Sequence, residues 1–190
     1  MNWMGFGATR AAYPRRLMSG YYERYFAGRV LDLGCAHCPV TETCDRWDGI
    51  FGHGDATWLE GVAAESYDCV YASHLLEHLE DPAAALRRWW ELVRPGGYLF
   101  IVVPDEDLYE QGRWPSIFNV DHKWTFTLDR NSTWSPVSIT LATWWPQVLL
   151  GATLELLARF DTGYIYDGKV WDRTLIDEAE AHVELILRKA

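Results

Sequence analysis

Short apolar runs alternate with segments of helical periodicity along most of the chain. Parallel strands that are buried on both faces form near-continuous apolar runs of four to eight residues. Runs of this kind predict strands over residues 29–34, 67–73 and 98–103. Weaker patterns predict further strands over residues 41–45, 50–51, 154–160 and 181–189.

Helical signals separate these strands. Apolar residues at spacing four, with Pro14 at the first position and Gly28 beyond the end, predict a helix over residues 14–26. Asp81 and Pro82 form an N-cap and a helix-starting proline for a helix over residues 82–93. A further helix is expected to begin with Thr143 as its cap. Strand, helix and strand therefore repeat, which predicts an α/β layered sheet.

Length and charge limit the kinds of protein that this chain can be. Its 190 residues favour one domain. A formal net charge of −10 would repel a nucleic-acid backbone, so we expect no nucleic-acid partner. The longest apolar run, residues 98–103, is far shorter than the roughly 20 residues of a membrane-spanning helix. We therefore expect a cytoplasmic protein with no membrane partner.

Two groups of residues resemble zinc sites. Cys35, His37, Cys38 and Cys44 are soft ligands within ten residues, but they lack a second well-spaced pair. The stretch HLLEH, residues 74–78, matches the H-x-x-E-H pattern of one class of zinc peptidases. That pattern requires a helix, whereas His74 directly follows a predicted strand, so we favour the strand-end interpretation and expect no metal. Glu77 and His78 are then expected to have structural or capping roles.

Four segments in order carry a family resemblance. RVLDLGC, then GDA at residues 54–56, then YDCVYASHLLEHLEDP, then RWWELVRPGGYLFIVVP resemble the class I S-adenosylmethionine-dependent methyltransferase family over residues 29–104. The resemblance implies a Rossmann-like, mostly parallel sheet of seven or slightly fewer strands, with an antiparallel last strand and helices on both faces. It also implies a single domain with four parts. These are an N-terminal helical flank (residues 1–28), a cofactor-binding half (29–104), an acceptor loop with a helix (105–152) and a C-terminal strand pair (153–190).

The resemblance also implies a cofactor site for S-adenosylmethionine, which leaves as S-adenosylhomocysteine. Gly34, Cys35 and Ala36 would wrap the amino acid end of the cofactor, with Asp32 near its ammonium group. Asp45, expected to end the second strand, would accept the ribose hydroxyls, as an acid there does in adenosine-binding sheets. The adenine and the methyl donor would be met by Trp47, Asp55, Ala56, Ser73 and His74.

The sequence departs from the family pattern at two places. Ala36 and Cys38 replace the second and third glycines of the usual G-x-G-x-G bend. Asp32 and Asp45 are 13 residues apart, whereas roughly 20 is usual for the strand acid of the related dinucleotide fold. The first crossover helix is therefore expected to be cut to a turn or lost.

The acceptor side is expected in residues 104–135, which show neither period and contain many aromatic residues. His74 and His122 are the candidate bases, since an imidazole titrates near neutral pH. The alternatives are that His122 fixes the loop by hydrogen bonds and that His74 only lines the pocket. Tyr109, Trp114 and Trp124 are candidates for the wall of the acceptor pocket. These features predict a methyltransferase acting on an oxygen or nitrogen of a small-molecule acceptor, as a monomer or homodimer. A catalytically silent binding subunit of this fold and an H-x-x-E-H zinc hydrolase are the alternatives.

Overall fold

Six strands form one mixed sheet in the computed structural model, which describes residues 7–166 and 179–190. Their order across the sheet is β2-β1-β3-β4-β8-β7. The strands are β1 Val30–Leu33, β2 Asp45–Trp47, β3 Tyr67–Ser73, β4 Val93–Pro104, β7 Ala152–Phe160 and β8 His182–Lys189. The first four run parallel, and β8 is antiparallel to both of its neighbours. The predicted mostly parallel sheet with its antiparallel last strand is therefore confirmed, with six strands instead of seven.

Two strands outside this sheet lie in and just after the segment without periodicity. β5, Thr125–Thr127, pairs in parallel with β6, Ser138–Thr140. A bridge between Asp105 and Phe126 joins this pair to the end of β4. The segment after β4 is thereby held over the carboxyl ends of the sheet strands.

Four helices accompany the sheet: α1 Ala8–Met18, α2 Tyr21–Arg24, α3 Pro82–Leu92 and α4 Leu141–Val148. α3 begins as predicted, because the Asp81 carboxylate accepts a hydrogen bond from the Ala84 N–H at 2.9 Å. The prediction of one helix over residues 14–26 is wrong. The chain is helical from Ala8, so Pro14 lies inside α1, and Gly20 at φ +70° separates α1 from α2. α4 has Thr140, not Thr143, at its cap position.

The two faces of the sheet are packed differently. On one face, α2 and the residues after it bring Tyr25 and Phe26 against Tyr71 and Phe100, and the rings of Phe26 and Phe100 stack at 5.4 Å. On the other face, α3 buries an apolar core that includes Leu86, Trp89, Val70, Leu99 and Ile101. Helices therefore cover both faces, as predicted. None of the described helices is long and apolar enough to cross a bilayer.

The connection from β1 to β2 contains no helix, as the short spacing predicted, because residues 34–44 form only turns and loop. The register of β2 differs from the prediction, however. Asp45 begins this strand instead of ending it, and pairs with Leu31. Residues 50–51 are not a strand but part of the 3₁₀ turn Gly49–Phe51, which the Asp48 side chain caps by accepting from the Ile50 N–H. β2 is a short, exposed edge strand, so no apolar pattern marks its position.

Candidate active site

Two cavities open at the carboxyl ends of the parallel strands. One, of about 280 Å³, lies between the bend after β1 and the segment after β4. The other, of about 440 Å³, lies between the same bend and the loops after β2. Both are lined by Gly34 and His78, so the two spaces adjoin at the bend. This is the edge at which open α/β sheets bind their ligands.

The bend after β1 has the geometry of a ligand cradle. Gly34 has φ +69°, and an added Cβ would lie 3.0 Å from the Leu75 side chain, so glycine is required there. The Gly34 N–H donates to the carbonyl of Trp47 at 2.9 Å, which fixes the bend against β2. Cys35 and Ala36 continue the wall of the smaller cavity. The bend therefore faces open space, as a cofactor loop requires.

Asp32 lies at the base of this bend. Its side chain is 1% exposed and accepts a hydrogen bond from the Val40 N–H at 2.6 Å. Burial raises the pKa of its carboxyl to about 8, and the Val40 N–H and the distant charges of Arg46 and Arg16 only partly oppose that rise. Asp32 also lines the smaller cavity, so a cation bound there would meet a carboxyl that lacks a paired positive charge.

The acid at the end of β2 is Asp48, and the prediction that placed Asp45 there is wrong. Asp48 lines the larger cavity, and its carboxylate accepts from the Ala36 N–H at 2.8 Å. Asp45 lies at the opposite end of the strand, where it pairs with Arg29 at 2.9 Å and accepts from the Tyr67 hydroxyl at 3.1 Å. Because β2 starts at position 45, its first residue is on the far edge of the sheet from both cavities. The signal that was missed is the acid directly before Gly49.

Trp47, Asp55 and Ala56 are brought together along the larger cavity, where the sequence predicted them. The Trp47 ring stacks on His53 at 5.2 Å, and its indole N–H donates to the carbonyl of Gly54 at 2.8 Å. The Ala56 carbonyl accepts from the Trp89 indole N–H at 2.7 Å. These contacts hold one wall of the cavity against α3.

The HLLEH stretch forms the junction between the cavities and the segment after β4. Ser73 ends β3, His74 follows at φ +51°, and Leu76–His78 form a 3₁₀ turn. The two histidines are thus not on one established helix, which removes the basis of the H-x-x-E-H zinc-hydrolase interpretation. Ser73, His74, Glu77 and His78 nevertheless all line the smaller cavity. Glu77 and His78 were expected to be structural, so this placement was not anticipated.

His122 comes from the long segment and reaches the same cavity. It is 5% exposed, and its Nδ1 lies 2.9 Å from the Glu110 carboxylate. Its ring lies parallel to that of Tyr109, with centroids 6.0 Å apart. The Lys123 N–H donates to the Glu77 carbonyl at 2.7 Å, which fixes this segment over the HLLEH turn. We call Glu77, His78 and His122 the cavity cluster.

The predicted aromatic wall is only partly present. Tyr109 lines the smaller cavity, whereas Trp114 and Trp124 line neither cavity. Trp124 packs against the apolar core and donates its indole N–H to the Leu79 carbonyl at 2.9 Å. Its expected role in the acceptor pocket is therefore corrected to that of an anchor for β5. Polar groups, including Glu77, Asn119 and His122, occupy the wall instead.

Burial determines the charge of the groups in this cavity. It raises the pKa of Glu77 to about 8, because a charged carboxylate is poorly solvated there. Burial, with the fields of His182, His122 and His78, lowers the pKa of His74 well below its usual value. Burial likewise lowers the pKa of His78. At neutral pH, His74 and His78 are therefore neutral imidazoles, which can accept a proton or bind a cation.

The fold and the cavities together define an α/β enzyme that binds a nucleotide-like ligand at the carboxyl ends of its strands. The profile of a family described as a methyltransferase domain matches residues 10–140. The chain belongs to this methyltransferase-domain family, in agreement with the resemblance of its sequence motifs. No match was found among curated proteins.

Several solved structures share the fold of this chain. A methyltransferase from Thermotoga maritima, described as a possible histamine N-methyltransferase, is 16% identical with a TM-score of 0.59 and covers 96% of this chain and 92% of its own. A methyltransferase from Mesorhizobium loti is 15% identical with a TM-score of 0.56, covering 94% and 98%. One from Archaeoglobus fulgidus is 18% identical with a TM-score of 0.53, covering 92% and 94%. At these identities the likeness establishes the fold alone.

Proposed function

We propose that this protein transfers a methyl group from S-adenosylmethionine to an oxygen or nitrogen atom of a small-molecule acceptor. The observation that carries the proposal is the meeting of two cavities at Gly34. The larger cavity suits the adenosine, and the smaller one suits the amino acid end together with an acceptor. The smaller cavity has a volume of about 280 Å³, which favours a small-molecule acceptor over a side chain on the surface of another folded protein.

The residues at the bend fit this cofactor in chemical type. Gly34 allows close approach of the backbone, and Asp32 offers a buried carboxyl to an ammonium group. Asp48 offers a carboxylate at the position where adenosine-binding sheets hold the ribose hydroxyls. Asp55 and Ala56 flank the space for the adenine edge. The loss of two glycines from the bend is compatible with this cofactor, since a sulfonium has no phosphate to surround.

When bound, the cofactor supplies an electrophilic methyl group on a sulfonium sulfur. The protein then has to orient the acceptor atom and exclude water, which accounts for most of the rate enhancement in such displacements. His74 is the proposed base, because it lines the acceptor cavity and its Nε2 has no hydrogen-bond partner over residues 7–166 and 179–190. The lowered pKa of His74 keeps its ring in the form that accepts a proton.

The test is calorimetric titration with S-adenosylhomocysteine, which binds without turnover. Asp48→Ala is expected to weaken binding by about 1 to 3 kcal/mol, as the loss of a partner to paired hydroxyls does. Asp45→Ala is the matched control, since it removes the same group from the opposite end of β2, away from both cavities. The affinity of this variant for S-adenosylhomocysteine is expected to be unchanged. Weaker binding in the Asp45 variant alone would mean that the adenosine lies elsewhere. Absence of measurable binding to the native protein would favour a silent binding subunit.

Transfer itself is tested with methyl-labelled cofactor and fractions of a metabolite extract. Label is expected to appear in a small molecule, and His74→Ala is expected to lower turnover with little effect on S-adenosylhomocysteine affinity. Label that appears only in protein or nucleic acid would contradict the proposed acceptor class.

A further inference from the structure

The cavity cluster has the arrangement of a metal-ligand set. One ligand atom each from Glu77, His78 and His122 lies within 4.8 Å of the others. His78 Nε2 is 4.0 Å from Glu77 Oε1, and the rings of the two histidines have their centroids 4.9 Å apart. The residues come from two segments more than forty positions apart, so the fold itself assembles the set.

Glu77 has no other explanation in the structure. Its side chain is fully buried, it lines the smaller cavity, and neither of its carboxylate oxygens has a hydrogen-bond partner in the described part of the chain. A buried carboxyl without donors or a counterion is costly. The ion pairs that involve Glu77 within the described residues are those with His74 at 3.6 Å and His78 at 4.0 Å.

His122 has a carboxylate within hydrogen-bond distance of its Nδ1, whereas the carboxylate nearest to His78 Nδ1 lies beyond that distance. His122 Nδ1 lies 2.9 Å from Glu110 Oε1, and His78 Nδ1 faces Asp121 Oδ2 at 3.6 Å. In metal sites, such carboxylates fix the tautomer and the orientation of the ligating ring. The Nε2 atom of each ring is then the atom directed away from its carboxylate.

A second group of glutamates and histidine serves as an internal comparison. The arginine-paired cluster consists of Glu180, His182 and Glu184 together with Arg15 and Arg16, and its ligand atoms lie equally close. There, both carboxylates accept hydrogen bonds from guanidinium groups at 2.6 to 2.9 Å. The arginine-paired cluster already has its cations. In the cavity cluster, the ion pairs of Glu77 within the described residues involve imidazoles and no guanidinium or ammonium group.

We propose that the cavity cluster binds one divalent transition-metal ion, with Zn²⁺ as the best match to its ligands. Two imidazoles and a carboxylate suit zinc and its first-row neighbours, whereas Mg²⁺ and Ca²⁺ prefer oxygen ligands alone. Glu77 and Glu110 together supply two negative charges to balance the ion. Ligand atoms around zinc lie about 3.4 Å apart, so the cluster has to contract only slightly.

The place of the ion gives it a role in the proposed reaction. His78 lines both cavities, and Glu77 and His122 share the smaller one with Gly34 and His74. A metal ion held by Glu77, His78 and His122 would bind a hydroxyl of the acceptor and lower the pKa of that hydroxyl beside the methyl donor. The role of the ion in methyl transfer rests on the proposed function, whereas the binding of the ion does not.

The test begins with the metal-free full-length protein, titrated with Zn²⁺ in the presence of a competing chelator. One equivalent is expected to bind and to raise the melting temperature. Glu77→Gln is expected to weaken binding at least about 100-fold, because it removes a ligand. Glu80→Gln, which changes an exposed carboxylate three residues away, is the matched control and is expected to bind normally. Cobalt(II), as a spectroscopic substitute, is expected to give visible absorption bands that Glu77→Gln abolishes.

Several outcomes would overturn the inference. They are absence of binding to the native protein, unchanged binding in Glu77→Gln, and loss of binding in Cys38→Ser, which would place the ion in the loop after β1. If Glu77→Gln does not fold, Glu110→Gln provides a second variant, expected to weaken binding about 10- to 100-fold without removing a ligand. Titration with S-adenosylhomocysteine separates the two proposals: cofactor binding without metal binding contradicts only the metal site, and the reverse contradicts only the proposed function.

Discussion

The cavity cluster and the arginine-paired cluster use the same residue types to different ends. Both combine glutamate and histidine side chains that are mostly buried, and both lie near the carboxyl ends of sheet strands. In one, two guanidinium groups neutralise the carboxylates and join α1 to β8. In the other, Glu77 faces a cavity without a cation. The comparison teaches that residue type alone does not distinguish a structural ion-pair network from a ligand-binding site. The difference lies in whether arginine side chains neutralise the buried carboxylates.

The charges of the two clusters follow from this difference. Burial alone would raise the pKa of Glu184, but Arg16, with His182 and Arg15, holds it well below its usual value. Burial raises the pKa of Glu77 to about 8, because the field of His122 opposes the rise only in part. Glu184 is therefore ionised at neutral pH, while Glu77 largely holds its proton until a positive charge arrives.

The largest expected effect comes from breaking the arginine-paired cluster. Glu184→Gln leaves the fully buried Arg16 and the half-buried Arg15 without full compensation, and is expected to lower the free energy of unfolding by about 3 to 5 kcal/mol. Urea unfolding measures it. Glu155→Gln is the control, because its partner Arg24 is 58% exposed and exposed ion pairs contribute little to stability. An equal loss of unfolding free energy in both variants would mean that the buried ion pairs stabilise the protein no more than the exposed pair does.

A smaller effect is expected from Asp32, which resembles Glu77 in being buried beside a cavity. With a pKa near 8, Asp32 holds a proton in the free protein at pH 6 to 8. The ammonium group of a bound cofactor favours the ionised form, so binding releases that proton. Affinity for S-adenosylhomocysteine is therefore expected to rise with pH in this window, by up to about tenfold per unit, and to level off above about pH 8.

Calorimetry in two buffers with different ionisation enthalpies measures the proton released on binding. Asp32→Asn is expected to bind with little dependence on pH and to release no proton from this position. A native affinity that stays constant from pH 6 to 8 would show that the carboxyl is already ionised, and would remove Asp32 from the group of unpaired carboxyls.

The sequence predicted the central strands and the bend because those features are local. β1 and β3 are buried on both faces and therefore carry a continuous apolar signal, and Gly34 follows directly from its motif. β2 was misplaced because an exposed edge strand of three residues carries no such signal, and this error exchanged Asp48 for Asp45. Pro14 misled the helix prediction, because α1 continues through it and the buried Arg16 joins that helix to Tyr71 and Glu184 of the sheet.

The acceptor side was harder to predict because it depends on contacts between distant positions. His122 and Tyr109 were singled out, and both reach the cavity. Glu110 was not, since only the folded chain shows that it supports His122 from twelve residues away. Trp124 has the same composition signal as a pocket residue but packs into the core. Aromatic residues in an irregular segment do not by themselves distinguish these two environments.

The smallest effect is expected where the comparison is most direct. Glu77→Gln makes the same chemical change as Glu184→Gln, yet in metal-free protein it is expected to alter the free energy of unfolding by less than about 1 kcal/mol, or to raise it slightly. The reason is that glutamine keeps the volume and removes a carboxyl that no cation stabilises. Urea unfolding in the presence of a chelator measures it beside the Glu184 variant. A loss of unfolding free energy as large as that of Glu184→Gln would mean that Glu77 already has a counterion in the free protein. The cavity cluster would then be a structural ion-pair network like the arginine-paired cluster.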